Sequence, residues 1–406
     1  MPAISDEPAT RIGFSGSAWV DTSYARTDSG RPEADPNIKR WERQARFVLR
    51  VTPTYSTKEG WFAQGQGEFV ANGAAAAAAT QLVDTDDLYV RAGKWNLFDV
   101  TAGRFQGWEV YHLGMALDLN TFERSGPYTN ANPASPAQIY GVTHYWDRPN
   151  GPGNMAVHVY LPKPVDMLRF ELMEQLGNTG GLQTLALRGV GIVDWGMNLP
   201  GTQGYRLSVK LKGGFETGKD APREQGETYK EKVLRKGFGG SLQVVFDPYV
   251  DIGGGFAQGI LDRFNSLTGD LEFPSSHTTT TFGGFLNVAP IKRLVVGFGY
   301  HNTEQQTLKC TEEIPPAMPG GTPTFADCST DATPSGNFDS YKLVQYFAAI
   351  QGEILPNFFA KLVLAYGKAD YNKWSDTGVP PYTNETGELM GMPLRASSRI
   401  RFMYLF

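Results

Sequence analysis

Near the end of the chain, in "SRIRFMYLF", Arg399 and Arg401 stand two residues apart with Ile400 between them and Phe402 beyond. Similar even spacing recurs at Arg46 and Arg50, and at Arg206, Lys210 and Lys212, while Arg91 stands alone in "LYVRAG". The residues in between are apolar: Phe47 and Leu49 in the first stretch, Leu207, Val209 and Leu211 in the second. Even spacing places such cations on one face of an extended chain, and a guanidinium stays charged at any physiological pH. A wetted wall of fixed positive charge imposes a lasting field that draws anions and orients dipolar solutes. This is electrostatic chemistry, in which no bond is made or broken.

Bond-making and ligand-holding arrangements find less support. A hydrolase needs a nucleophile or activated water beside a histidine and a carboxylate. None of His112, His144, His158, His277 and His301 stands in a recognisable Ser/His spacing, so no enzyme is expected. The run "DTDD", Asp84 to Asp87, offers carboxylates to Ca²⁺ without the rest of a ligand pattern, and no metal is expected. "GGGFAQG", Gly253 to Gly259, resembles a phosphate-cradling loop, but it lies within a strand pattern with no helix after it, so no cofactor is expected either. A net charge of -5 and a pI near 5.7 give no basic surface for a nucleic-acid partner. Cys310 and Cys328, in a segment rich in Pro, Gly and Thr, read as a disulfide and hence an oxidising compartment.

The elements that must carry the cations follow from alternation. The 406 residues include 47 Gly, 8 Trp, 18 Tyr and 24 Phe but only 19% charged residues, a balance tilted toward aromatics and glycine. No apolar run approaches the roughly 18 residues of a membrane helix, and "MPAISDEPAT" reads as a mature N-terminus without an export leader. Period-two stretches recur instead: Phe238, Leu242, Val244 and Phe246, then Leu294, Val296, Phe298 and Tyr300, then Phe358, Ala360, Leu362, Leu364 and Tyr366. Alternation over segments of about ten residues is the signature of a membrane-spanning β-barrel.

A soluble sandwich also alternates, so connection length decides between the two. Strands are expected at 11–25, 43–56, 60–71, 86–95, 98–106, 138–147, 153–161, 182–196, 203–216, 229–247, 250–264, 276–288, 293–306, 338–351, 357–371 and 396–406. Tight turns such as "TKEG", "KWNLF", "DPYVD" and "EILPN" fall at every second connection, and longer segments lie between them. Short and long ends are the two rims of a barrel.

The expected fold is therefore all-β: a single domain, residues 1–406, forming a transmembrane antiparallel up-and-down β-barrel of 16 strands with short periplasmic turns and long extracellular loops. Residues 1–10 form a periplasmic tail and 307–337 a long loop holding the disulfide. "PVDMLRFELMEQLG", with Val165, Leu168, Leu172 and Leu176 at helical spacing, is read as a short helix inside a loop, 162–181; were it a strand, another would have to be hidden and the count would be 18. The final strand turns Ile400, Phe402 and Tyr404 to lipid and Arg399 and Arg401 to water, and closes on "RIGFSGSAWVDTSYAR". Trp61, Trp95, Trp146, Trp195, Tyr205, Tyr366 and Phe406 fit interfacial girdles.

The alternating last strand ending in Phe406 resembles the C-terminal assembly signal of Gram-negative outer-membrane proteins, and "LYVRAGKWNLFDVTAGRFQGWEVY" resembles the approach to the third loop of bacterial porins. The resemblance implies a barrel of 16 strands, commonly a trimer in outer-membrane lipid, whose third loop folds into the lumen and narrows a water-filled path for small hydrophilic solutes. The segment 107–137 takes that place, so Glu109, Asp118 and Glu123 would face Arg46, Arg50, Arg91, Arg399 and Arg401 across the constriction. Arg206, Lys210 and Lys212 add further lumen bases, from which a mild anion preference is expected. Two alternatives stand beside this: the arginines are a solvated inner face neutralised by carboxylates such as Asp21 and Glu68, or the barrel is a non-conducting anchor or sleeve for a partner protein.

Overall fold

Alternation becomes structure strand by strand in the computed structural model, which describes residues 9–28, 38–72, 83–108, 110, 153–163, 165–179, 182–199, 205–222, 230–266, 272–291, 293–308, 311–314, 324–327, 340–372 and 394–406. The strands are β1 (Ala9–Asp28), β2 (Ile38–Ser56), β3 (Trp61–Asn72), β4 (Val83–Lys94), β5 (Phe98–Arg104), β6 (Gly153–Tyr160), β7 (Leu168–Thr179), β8 (Leu182–Asn198) and β9 (Arg206–Pro222). They continue with β10 (Lys230–Asp247), β11 (Val250–Ser266), β12 (Glu272–Ile291), β13 (Leu294–Leu308), β14 (Thr311–Ile314), β15 (Thr324–Asp327), β16 (Ser340–Leu355), β17 (Phe358–Asn372) and β18 (Leu394–Leu405). All but β14 and β15 join one closed antiparallel barrel of 16 strands in sequence order, and β14–β15 forms a separate hairpin.

Closure is made by β1 against β18, with Val20 opposite Phe402 and Asp21 opposite Arg401. Gly16 and Phe406 extend the seam by exchanging backbone hydrogen bonds of 2.8 and 3.1 Å. A ring without an edge lets every strand find its backbone partners within the protein, which a lipid-facing sheet requires. The outer surface carries the apolar set: Phe14, Val20, Leu88, Leu172, Leu211, Phe298, Ile400 and Phe402 are all exposed. The inward set is polar and largely buried, with Asp21, Glu68, Asp99, His158, Glu171, Arg188 and Glu216 among it.

Tight turns hold one rim. Asn96 and Asn357, in the β4–β5 and β16–β17 turns, take positive φ of 62° and 63°, a region asparagine tolerates better than most residues. Aromatics gather near this rim, where Trp61 meets Phe98 edge to face at 5.9 Å, Tyr205 stacks on Phe246 at 6.0 Å and Phe358 on Phe402 at 6.3 Å. A second group climbs β13, β16 and β17 through Tyr300, Tyr346 and Tyr366, with neighbouring centroids 5.4 and 6.4 Å apart. These are the belts expected at the two borders of an apolar band. Trp95 departs from that expectation, since it stacks on the inward-facing ring of Phe62 at 3.7 Å.

The segment read as a helix in 162–181 is β7, paired with β6 through Val157↔Leu172 and with β8 through Leu172↔Gly189. The physical reason is that a spacing of four is also a multiple of two. Leu168, Leu172 and Leu176 satisfy both periods, and Phe170 joins them on the outer face while Arg169, Glu171, Met173 and Gln175 turn inward. The expected strand at 138–147 lies outside the described residues, and the ring closes with β5 paired directly to β6, Val100 opposite Val157. The count of 16 therefore stands with a different membership. One connection at the long-loop rim is also short: only Gly180 and Gly181 separate β7 from β8. Ala9 and Thr10, assigned to the tail, already pair with Ser56 and Tyr55.

Candidate functional site

The inner wall gathers the expected cations and gives them partners on adjacent strands. Arg50 on β2 donates from Nε to Glu68 Oε1 on β3 at 2.7 Å, with a second contact from Nη2. Arg401 on β18 meets Asp21 on β1 at 2.7 Å and lies over the Trp19 ring at 3.8 Å. Arg91 on β4 reaches Asp99 on β5 at 2.5 Å and Tyr160 Oη on β6 at 3.0 Å. Lys210 on β9 lies 3.6 Å from Asp194 on β8. Arg46 and Lys212 face inward half-buried, Arg399 is buried and Arg206 is exposed. Cross-strand pairing of opposite charges is what the ladder geometry favours, and it realises the neutralising partners Asp21 and Glu68.

Each pair is asymmetric toward water. The Arg50 side chain is 45% exposed against 3% for Glu68, Arg91 24% against 1% for Asp99, and Arg401 20% against 1% for Asp21. The carboxylates are wedged against the wall while the longer guanidiniums reach over them, so each pair presents its positive end to the lumen. On β7, Arg169 shares Asp194 with Lys210, at 3.4 and 3.6 Å. Two cations on one carboxylate leave one positive charge over.

A second constellation, on β5 to β8, was not anticipated. His158 on β6 places Nδ1 2.7 Å from Asp99 Oδ1 and Nε2 3.1 Å from Glu171 Oε2. Arg188 on β8 donates from Nη1 to Glu171 Oε1 at 2.7 Å, and both side chains are only 1% exposed. Over this buried group passes the chain leaving β5. Asn154 donates to the Phe105 carbonyl at 2.6 Å, the Trp108 N–H points between the two Glu171 oxygens at 2.9 and 3.0 Å, and Arg188 donates to the Trp108 carbonyl. The Trp108 ring stacks on His158 at 4.8 Å and carries the Arg169 guanidinium 5.5 Å from its centroid.

Beyond Trp108 the same strip continues around the wall. Val110 packs with Val190 and Ile192 of β8 and Ala257 of β11, and its carbonyl accepts from Ser241 of β10 at 2.5 Å. Gly214 on β9 makes room, since a Cβ there would come within 2.9 Å of Val110 Cγ2. Residues 105–108 and 110 thus run inside the barrel from β5 to β11, six strands on in the ring. Alternation within β7 held the one sequence signal for this site, the inward series Arg169, Glu171, Met173 and Gln175.

Glu109, Asp118 and Glu123 lie outside the described residues, as do Cys310 and Cys328. The two cysteines directly flank, in sequence, the Thr311↔Asp327 pair of the β14–β15 hairpin. Among the described residues no group of His, Cys, Asp and Glu is arranged to hold a metal.

No protein-family model matches the chain, and no curated protein matches its sequence. Solved structures do match in fold. OmpT of Vibrio cholerae, an outer-membrane protein in a trimer form, aligns with a TM-score of 0.57 at 11% identity over 98% of this chain and 100% of its own. The anion-selective porin of Comamonas acidovorans gives 0.53 at 11% over 98% and 100%, and the outer-membrane channel DcaP of Acinetobacter baumannii 0.52 at 10% over 98% and 97%. The chain has the fold of the 16-stranded outer-membrane porins.

Proposed function

We propose that this barrel is a porin of the Gram-negative outer membrane, a water-filled channel for passive diffusion of small hydrophilic solutes with a mild preference for anions. The observation that carries the reading is the division of the wall between two solvents: apolar side chains exposed outside, paired charges inside with their guanidiniums toward the lumen. A neutral ion pair with its cationic end toward water still attracts an anion at short range, and the Arg169, Asp194 and Lys210 group adds a net positive charge. Asp118, Glu109 and Glu123 are assigned to the constriction loop, opposite the arginines. The "anion-selective" and "trimer form" descriptions of the structural relatives support the selectivity and a homotrimer. Cys310 and Cys328 are assigned as a disulfide; alkylation under denaturing, non-reducing conditions should leave both thiols unmodified.

Planar-bilayer recording of the purified, refolded chain tests the function. Stepwise conductance is expected, with a reversal potential under a salt gradient on the anion side. A barrel that inserts without conducting would establish the anchor or sleeve instead, and a cation-side reversal potential would reject the selectivity.

A further inference from the structure

The Glu171 and Arg188 pair is buried, charged and built across two neighbouring strands, yet its hydrogen bonds are not confined to the wall. Glu171 spends both oxygens on the Trp108 N–H, and Arg188 spends Nη2 on the Trp108 carbonyl, so both polar groups of one loop residue are bound by one ion pair. Charge-assisted hydrogen bonds of this kind are about twice as strong as neutral ones. The backbone fits the pair closely. A Cβ at Gly107 would lie 2.5 Å from Arg188 Nη1, 3.0 Å from Met173 Sδ and 3.2 Å from Glu171 Oε1, so a larger residue at 107 would displace the ends of the pair or lift the strip from the wall. Behind the pair, His158 bridges Glu171 to Asp99, and Asp99 in turn holds Arg91, one of the water-facing cations.

We infer that Glu171 and Arg188 are positioning residues that set the bore of the channel: they clamp the backbone at Gly107 and Trp108 against β7 and β8, and so fix how much of the lumen residues 105–108 and 110 occupy. The inference rests on the channel reading for its effect on permeation, while the clamp itself is independent of it. Replacing the wall pair by apolar side chains, which neither accept nor donate, frees both Trp108 backbone groups, and the strip moves off the wall. The lumen then changes in two ways. Its effective diameter is no longer fixed, and the Arg169 guanidinium loses the ring on which it lies.

The test uses the full chain, refolded, with the heat-dependent gel mobility of a closed barrel as the folding check. The variants are Glu171→Met, the double variant Glu171→Met with Arg188→Met, and Gly107→Ala. Two readouts are taken: the largest polyethylene glycol that enters the lumen and lowers single-channel conductance, and hydrogen exchange at the Trp108 amide by mass spectrometry of the peptide that holds it. The expected result is a shift of polymer exclusion to a different size, a noisier open level and faster Trp108 exchange in all three. The double variant separates positioning from mere stability, since it removes the burial of an unpaired charge but not the loss of the clamp; a stability role predicts that it returns to wild-type behaviour. Folded variants with wild-type exclusion size and a still-protected Trp108 amide would overturn the inference. If the wild type does not conduct, the channel reading fails, and Trp108 exchange still decides the clamp. Should Glu171→Met alone fail to fold, the double variant and Gly107→Ala carry the comparison.

Discussion

Arg50 shows how one side chain serves both architecture and field. Its Nε and Nη2 both donate to Glu68, a carboxylate buried on β3, while the rest of the guanidinium faces water. A unit charge about 10 Å from a passing ion, at a water-like dielectric, is worth about 0.4 kcal/mol, roughly a factor of two for each ion and opposite in sign for anion and cation. Arg50→Gln is accordingly expected to lower the anion-to-cation permeability ratio about fourfold, and Glu68→Gln to raise it by a similar factor. Reversal potentials measured under one salt gradient should move in opposite directions for the two variants, and both shifts should shrink at high salt as the charges are screened. Arg401, with Asp21 beneath it and Trp19 against its face, is held by the same logic on the other side of the seam.

At the scale of elements, β7 shows both what a sequence discloses and where it is ambiguous. Leu172 lies on its outer face, exposed, between Val157 and Gly189 of the neighbouring strands. A cation there would have to sit in hydrocarbon, so Leu172→Arg is expected to destabilise the barrel by about 2–4 kcal/mol, read by denaturant unfolding in lipid vesicles. A helical loop segment would tolerate the same change. The alternation of β2, β9, β10, β13 and β18 was legible because period two has no competitor over ten residues. The leucines of β7 fit two periods at once, and Pro164 and Gly177 fit helix ends as well as strand ends. The inner cations were legible by parity, but their partners were not. Parity states which face a residue takes, whereas the ladder register decides that Arg401 meets Asp21. The clamp was hidden for a stronger reason: Glu171 and Arg188 meet the Trp108 backbone across 63 and 80 positions of chain, contacts no local pattern encodes.

For the whole molecule, the ring of β1 to β13 with β16, β17 and β18 is one cooperative object, since each strand borrows its hydrogen bonds from both neighbours. A chain ending before Leu394 would leave β1 and β17 without their common neighbour and is expected to give no heat-resistant compact band on a gel, however well the other strands are kept. The seam has a further consequence for biogenesis. Asp21 and Arg401 stand 380 positions apart, so their bond forms only after nearly every residue has been synthesised. Throughout translation the first hairpin waits with a bare margin, prone to stick to any other extended polypeptide. The margin of β1 finds its partner only when the last strand arrives, and that order of events is imposed by the circle itself.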